Sequence, residues 1–267
     1  MSGMASLVDE PYGAAADQEP RMAAEEFFGR RLLLCAPDGL NPDQAAFAQA
    51  IADRLHGRMD MLPAMTSYRA LAELATGYDL LLLGEKRPSW WQLLLGEPAG
   101  GAALRHVPTS LLLMRRARWP LRHILFVCRA EASDEWALPW VQALGAAETA
   151  VTLLVVVPCV PALYRLPGPY PIGLKTLLDP HTTSGRRVRS LLQALADVGV
   201  QARIRLRDGE PDEQIRREAG SNLYDLIIMA GEGHGRLPRA LLGELVSPML
   251  SWLATPLLLA RERQFQP

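Results

Sequence analysis

The sequence is poor in the groups that most site chemistry needs. It has only three cysteines in 267 residues. None of them shares a metal-type spacing with another. Cys35 and Cys128 fall in apolar runs of strand length, where small buried thiols are common, and Cys159 falls in a loop. An odd count with no framework excludes a disulfide scaffold and fits a reducing cytoplasm. The histidines His56, His106, His123, His181 and His234 include no pair four apart on one helix, so no metal centre is implied. Nothing resembles a Ser-His-Asp or Cys-His arrangement, and no carboxylate pair stands out for acid-base work. The formal charge of -1 gives no electrostatic reason for a nucleic-acid or anionic-membrane partner. No apolar run reaches the roughly 18 residues of a membrane helix. The start, MSGMASLVDEPYGAAADQEP, has neither a basic head nor an apolar core, so it does not read as a secretory signal. Residues 1–29 are expected to be a flexible arm.

What the chain does have is a repeat. Residues 78–116 and 224–262 say the same thing twice. Tyr78-Asp79 returns as Tyr224-Asp225, and Leu111-Leu112-Leu113 as Leu257-Leu258-Leu259, both 146 positions on. Between them Leu94-Leu95-Gly96-Glu97 returns as Leu241-Leu242-Gly243-Glu244, 147 on, a difference of one loop residue. A repeat this long means two copies of one folding unit. With 49% hydrophobic and 21% charged residues, the chain can bury a sizeable core.

The second copy is the fuller one. Residues 122–128, 149–158, 200–206, 225–229 and 256–260 read as strands. Residues 133–144, 186–198, 211–219 and 239–253 read as helices, with Ser133 or Asp134 as the cap of the first and Pro211 opening the third. The proline- and glycine-rich stretch 157–184 reads as a long excursion over the mouth of the fold. In the first copy, 31–36, a short stretch near 59–65, 79–83 and 110–114 read as strands. Residues 41–56, capped by Asn41 with Pro42 in the first turn, 67–75 and 101–105 read as helices. Alternating strands and helices imply parallel pairing and right-handed crossovers. Asp38 and Arg129, at the starts of the copies, are 91 apart, against 146 at their ends. The first copy therefore lacks about one strand-helix unit and the long loop, and its small core is marginal alone.

Residues 200–205, Asp208-Gly209-Glu210-Pro211, Tyr224 to Met229, the glycine-bearing loop 230–242, Gly243 and Ala254 to Leu259 together resemble a universal stress protein domain. Leu32 to Gly39 and Tyr78 to Met114 resemble the same family more weakly. The resemblance implies two Rossmann-like, adenine nucleotide alpha hydrolase-like α/β domains in tandem, 30–117 cut down and 118–263 complete. It also implies that the terminal strands 110–114 and 256–260 pair within one chain as a pseudo-dimer, which removes bare edges. A further homodimer is compatible with it.

Nucleotide-binding members of that family carry a loop of Gly, two residues, Gly, nine residues, Gly, then Ser or Thr, and an Asp at the end of the first strand. Glycines let main-chain amides approach phosphate, and the next helix offers its positive end. Carried onto the second copy, the loop positions are Ala230, Gly233, Gly243 and Glu244, with Gly231 and Gly235 alongside, and Arg129 stands at the Asp position. A carboxylate about 4 Å from a phosphate charge costs roughly 4 kcal/mol at an effective dielectric near 20. In the first copy Asp38 and Gly39 fall at the anchor, but Arg87 replaces the second glycine and Glu97 the hydroxyl. Bland readings stand beside these. The glycines also suit a plain strand-helix turn, and Asp38 a turn or cap before Asn41. His234 also suits an exposed position, and the Arg186-Arg187-Val188-Arg189 run a solvated helix face. Trp90 and Trp91 suit either a partner-binding anchor or a cover for the small first sheet. The sequence thus leads to a non-catalytic stress-response or regulatory protein that acts through an unidentified protein partner, with no cofactor and no membrane insertion. The alternative is an ATP-binding protein with slow hydrolysis, using the second-copy loop.

Overall fold

The computed structural model describes residues 31–36, 39–62, 68–84, 107, 109–130, 133–157, 173–221, 223–231, 249 and 252–262. Its strands are β1 (Arg31–Cys35), β2 (Arg58–Leu62), β3 (Leu80–Gly84), β4 (Ser110–Met114), β5 (His123–Cys128), β6 (Ala150–Val157), β7 (Ala202–Asp208), β8 (Leu226–Ala230) and β9 (Leu257–Ala260). Its helices are α1 (Pro42–Arg54), α2 (Tyr68–Ala75), α3 (Asp134–Leu144), α4 (Leu174–Leu177), α5 (Thr183–Asp197) and α6 (Pro211–Ala219).

All nine strands join one sheet in the order β2-β1-β3-β4-β9-β8-β5-β6-β7. Every neighbouring pair is parallel except one. The exception is β4 with β9, antiparallel, which sets Leu111 against Leu259, Leu112 against Leu258 and Leu113 against Leu257. The first half thus brings four strands and the second five. The strand without a counterpart is β7, reached through α4 and α5. The described residues of the first half hold no strand that pairs with β2 in the way that β7 pairs with β6.

The near-continuous apolar runs suit parallel strands buried on both faces. Leu32, Leu34, Leu80 and Leu82 share one face with Ile124, Phe126, Leu226 and Ile228. Leu33, Cys35, Leu81 and Leu83 share the other with Leu125, Val127, Ile227 and Met229. Each core runs through both halves. Arg54, near the end of α1, donates through Nε to the Ala143 carbonyl at 2.9 Å and also to that of Gly145. It thereby satisfies carbonyls that the end of α3 leaves without intrahelical partners.

Local signals placed most elements. Asn41 and Gln44 form a capping box at α1, with Pro42 in its first turn. Several boundaries shift by one to three residues, most instructively at two elements. α5 begins three residues before 186, because Thr182 accepts the Gly185 amide at 2.9 Å and caps it. Gly185 is needed there, since a Cβ would collide with the Asp179 carbonyl. β7 begins at Ala202 and runs to Asp208, two residues later than expected at both ends. The excursion at 157–184 contains the short helix α4. The helices at 101–105 and most of 239–253, the arm 1–29, Trp90, Trp91 and His234 lie outside the described residues. Among the described residues no helix is long and apolar enough to cross a membrane.

Among the described residues a charged cluster is built on the buried Glu218. Glu218, only 1% exposed, binds Arg205 at 2.5 Å, Arg207 at 2.6 Å and the Tyr224 hydroxyl at 2.5 Å. Burial alone would raise its pKa, but the Tyr224 hydroxyl and the two guanidiniums outweigh it and hold the carboxyl below its ordinary value of 4.5. Burial and the same carboxylate push the Tyr224 hydroxyl up to about 12. A depressed folded value means stability that is present above the ordinary value and lost as the pH falls through the folded one. Glu218→Gln is therefore expected to cost about 2 kcal/mol at neutral pH, less than a fully buried pair because both arginines reach solvent. Its loss of stability on acidification below 4.5 should be shallower than that of the parent chain. Urea melts of both chains across that range check this, and parallel acid profiles would contradict it.

Candidate functional site

In an open parallel sheet, ligands bind beyond the carboxyl ends of the strands where the chain reverses its direction of travel across the sheet. There are two such points. In the first half the chain steps from β1 out to β2, then back past β1 to β3. In the second it steps from β5 out through β6 and β7, then back past β5 to β8. The crevices open between the ends of β1 and β3, and between those of β5 and β8.

The first crevice is occupied by its own chain. Gly39 adopts a left-handed φ of 75°, and its amide closes a turn on the Ala36 carbonyl at 2.8 Å. That turn carries Leu40 back over Gly84, the last residue of β3. A Cβ on Gly84 would collide with the Leu40 side chain and lie 3.1 Å from the Ala36 Cβ. With glycine at this position the Leu40 side chain packs directly on the end of β3. The mouth of α1 is closed as well. The Gln44 amide donates to Asn41 Oδ1 at 2.8 Å, and the buried Gln44 side chain donates to the Met114 carbonyl at 2.7 Å. Of the two anchor residues expected here, Gly39 serves the turn and Asp38 lies outside the described residues.

At the second crevice Arg129 leaves β5. Its amide donates to both carboxylate oxygens of Asp134, at 3.2 and 3.1 Å, and its guanidinium donates to Ser133 Oγ at 3.0 Å. Asp134 is 1% exposed. It also accepts from Cys128 Sγ at 3.2 Å. Burial first, then the Asp134 charge, push the Cys128 thiol well above its ordinary range, and the Ala130 amide only partly offsets them. Ala130 itself is left-handed, with φ of 57°. The sequence marks Ser133 or Asp134 as a helix cap; Ser133 makes no capping bond, and Asp134 turns back to tie down the end of β5. The signal for that role was faint, an acidic residue just past an apolar strand.

Across the crevice Ala230 is buried at the end of β8. The Gly231 amide donates to the Ala260 carbonyl at 2.6 Å. A Cβ on Gly231 would stand 3.1 Å from that carbonyl and 3.2 Å from Arg261, so this glycine serves close packing on β9. Gly233, Gly235, Gly243 and Glu244 lie outside the described residues. Among the described residues no group of three or more His, Cys, Asp or Glu is arranged to hold a metal ion.

Leu32 pairs with Leu80 and Ile124 with Leu226, which sets β1 and β5 at matching registers against β3 and β8, 92 positions apart.

A sequence profile of the universal stress protein family matches residues 120–261. The chain belongs to that family. The solved structure of a universal stress protein from Archaeoglobus fulgidus DSM 4304 superposes with a TM-score of 0.57 at 10% identity, covering 88% of this chain and 97% of that one. A putative universal stress protein from Pseudomonas aeruginosa UCBPP-PA14 superposes with a TM-score of 0.54 at 15% identity, covering 90% of this chain and 95% of that one. At such identities the likeness concerns the fold. No curated protein matches the sequence.

The Asp134 contacts of this universal stress protein yield an expectation. Asp134→Asn removes the charge that raises the Cys128 thiol, so its pKa should move back toward 9.0. Burial is the larger cause and leaves Cys128 1% exposed, so the thiol stays protected and the measurable effect is a cost of about 1–3 kcal/mol in stability. Urea melts of both chains check this, and an unchanged midpoint would contradict it.

Proposed function

We propose that this universal stress protein is a non-catalytic regulatory protein that works by binding another protein, with little or no affinity for ATP. In this reading residues 30–117 and 118–263 are two copies of the family domain, the first cut down, joined within one chain as a pseudo-dimer. The observation that carries it is the filling of the first crevice by Leu40 over Gly84. The second crevice supports it differently. Arg129 stands where nucleotide-binding members place an acidic anchor, and Glu244 follows Gly243 where they place a hydroxyl. Coverage of 88% and 90% of the chain by the two relatives, well beyond residues 120–261, supports the two-copy reading. The competing reading, ATP held by the second-half glycine loop, rests on the spacing of Gly233 and Gly243.

Calorimetry and thermal melting with magnesium-ATP decide between them. The parent chain should give no heat and no melting shift at millimolar nucleotide. A bound nucleotide at a hundredfold excess over its dissociation constant would instead add about 2.7 kcal/mol of stability. The combined variant Arg129→Asp with Glu244→Ser should gain measurable affinity. Saturable binding to the parent chain, abolished by changes at Gly233 and Gly243, would overturn the proposal.

A further inference from the structure

Two strands end the sheet, and they end it differently. β7 presents Arg203, Arg205 and Arg207 at alternate positions. Laid antiparallel on a second β7, it would set arginine against arginine in every register centred between Arg203 and Arg207, which is how edge strands resist pairing. β2 has no such guard. Among the described residues it pairs with β1 alone, whereas its counterpart β6 is covered by β7. Met61 on β2 is 67% exposed.

The charges of β2 fit one another. Arg58 and Asp60 are two residues apart and so lie on the same side of the strand. Their side chains are 84% and 34% exposed. Residues directly opposite in a pair of strands share a face, so a strand meets its own copy about a residue and never between two. Centred on Asp60, the pairing would oppose acid to acid. Centred on Met59, it sets Arg58 against Asp60 of the second copy, twice across the axis. It also lays Met61 against Gly57, where no bulky side chain opposes it.

We infer that a second copy of this chain adds to the sheet at β2, antiparallel and about Met59, joining two nine-stranded sheets into one. The inference does not depend on the proposed function.

Sedimentation velocity on the full chain at micromolar concentration tests it. The parent chain should be a dimer. Arg58→Asp and Asp60→Arg should each weaken self-association about tenfold or more, since each opposes two like pairs. An equimolar mixture of the two variants should dimerise again, and so should the double variant, because both restore two opposite pairs. Thermal melting checks folding, since Asp60 also accepts from the Tyr78 hydroxyl at 3.1 Å. Arg58→Asp leaves that contact in place and decides the matter if the other variant misfolds. A monomeric parent chain, a dimer insensitive to Arg58→Asp, or folded variants that stay apart on mixing would each overturn the inference. So would a monomer whose β2 amides facing away from β1 resist hydrogen exchange, which would mean that another part of the chain covers the edge.

Discussion

The rest of the structure hangs on three leucine pairs. Where β4 meets β9, Leu111, Leu112 and Leu113 lie against Leu259, Leu258 and Leu257. Without this antiparallel ladder each half would end in a bare apolar strand, a template for aggregation. With it, nine strands form one sheet and both cores run unbroken from Leu32 to Leu226 on one face and from Leu33 to Ile227 on the other. Burial dominates the energetics. Leu112 and Leu258 are fully enclosed, each worth about 1.5–3 kcal/mol against exposure. Polar ties across the seam fix orientation more than they add stability. Arg115 donates to the Leu253 carbonyl at 2.8 Å, and the Arg261 amide to Ser110 Oγ at 3.1 Å. The four-stranded half, marginal alone, borrows its core from the five-stranded one.

The two crevices carry different chemistry at the ends of β1 and β5. At the first, a left-handed Gly39 and a bare Gly84 let an apolar side chain settle against the sheet. At the second, a buried carboxylate gathers the thiol and amide at the end of β5. In both places glycine serves close approach within the chain itself.

Legibility in the sequence followed how local the cause was. The α1 cap, the α6 start at Pro211 and the leucine strands were readable, because a capping residue or an apolar run specifies each almost alone. β7 was read two residues early. Val200 is apolar and buried but belongs to the turn after α5, and the alternating arginines of an edge strand mask its true limits. The start of α5 was hidden because Gly185 looks like a loop residue until the Asp179 carbonyl is seen beside it. At the crevices, residue types pointed only to the ends of strands. What sits on what was not readable: the Leu40 contact and the Asp134 bonds come from chain direction after a turn.

Leu40 is covalently tethered to the strand end that it covers. A free molecule seeking Gly84 must outcompete a group whose local concentration is fixed by a few bonds and never falls on dilution, at least millimolar by ordinary linker arithmetic. Changing cellular levels of a small metabolite would therefore alter this crevice little. A shorter side chain at that position would uncover the Gly84 end of β3.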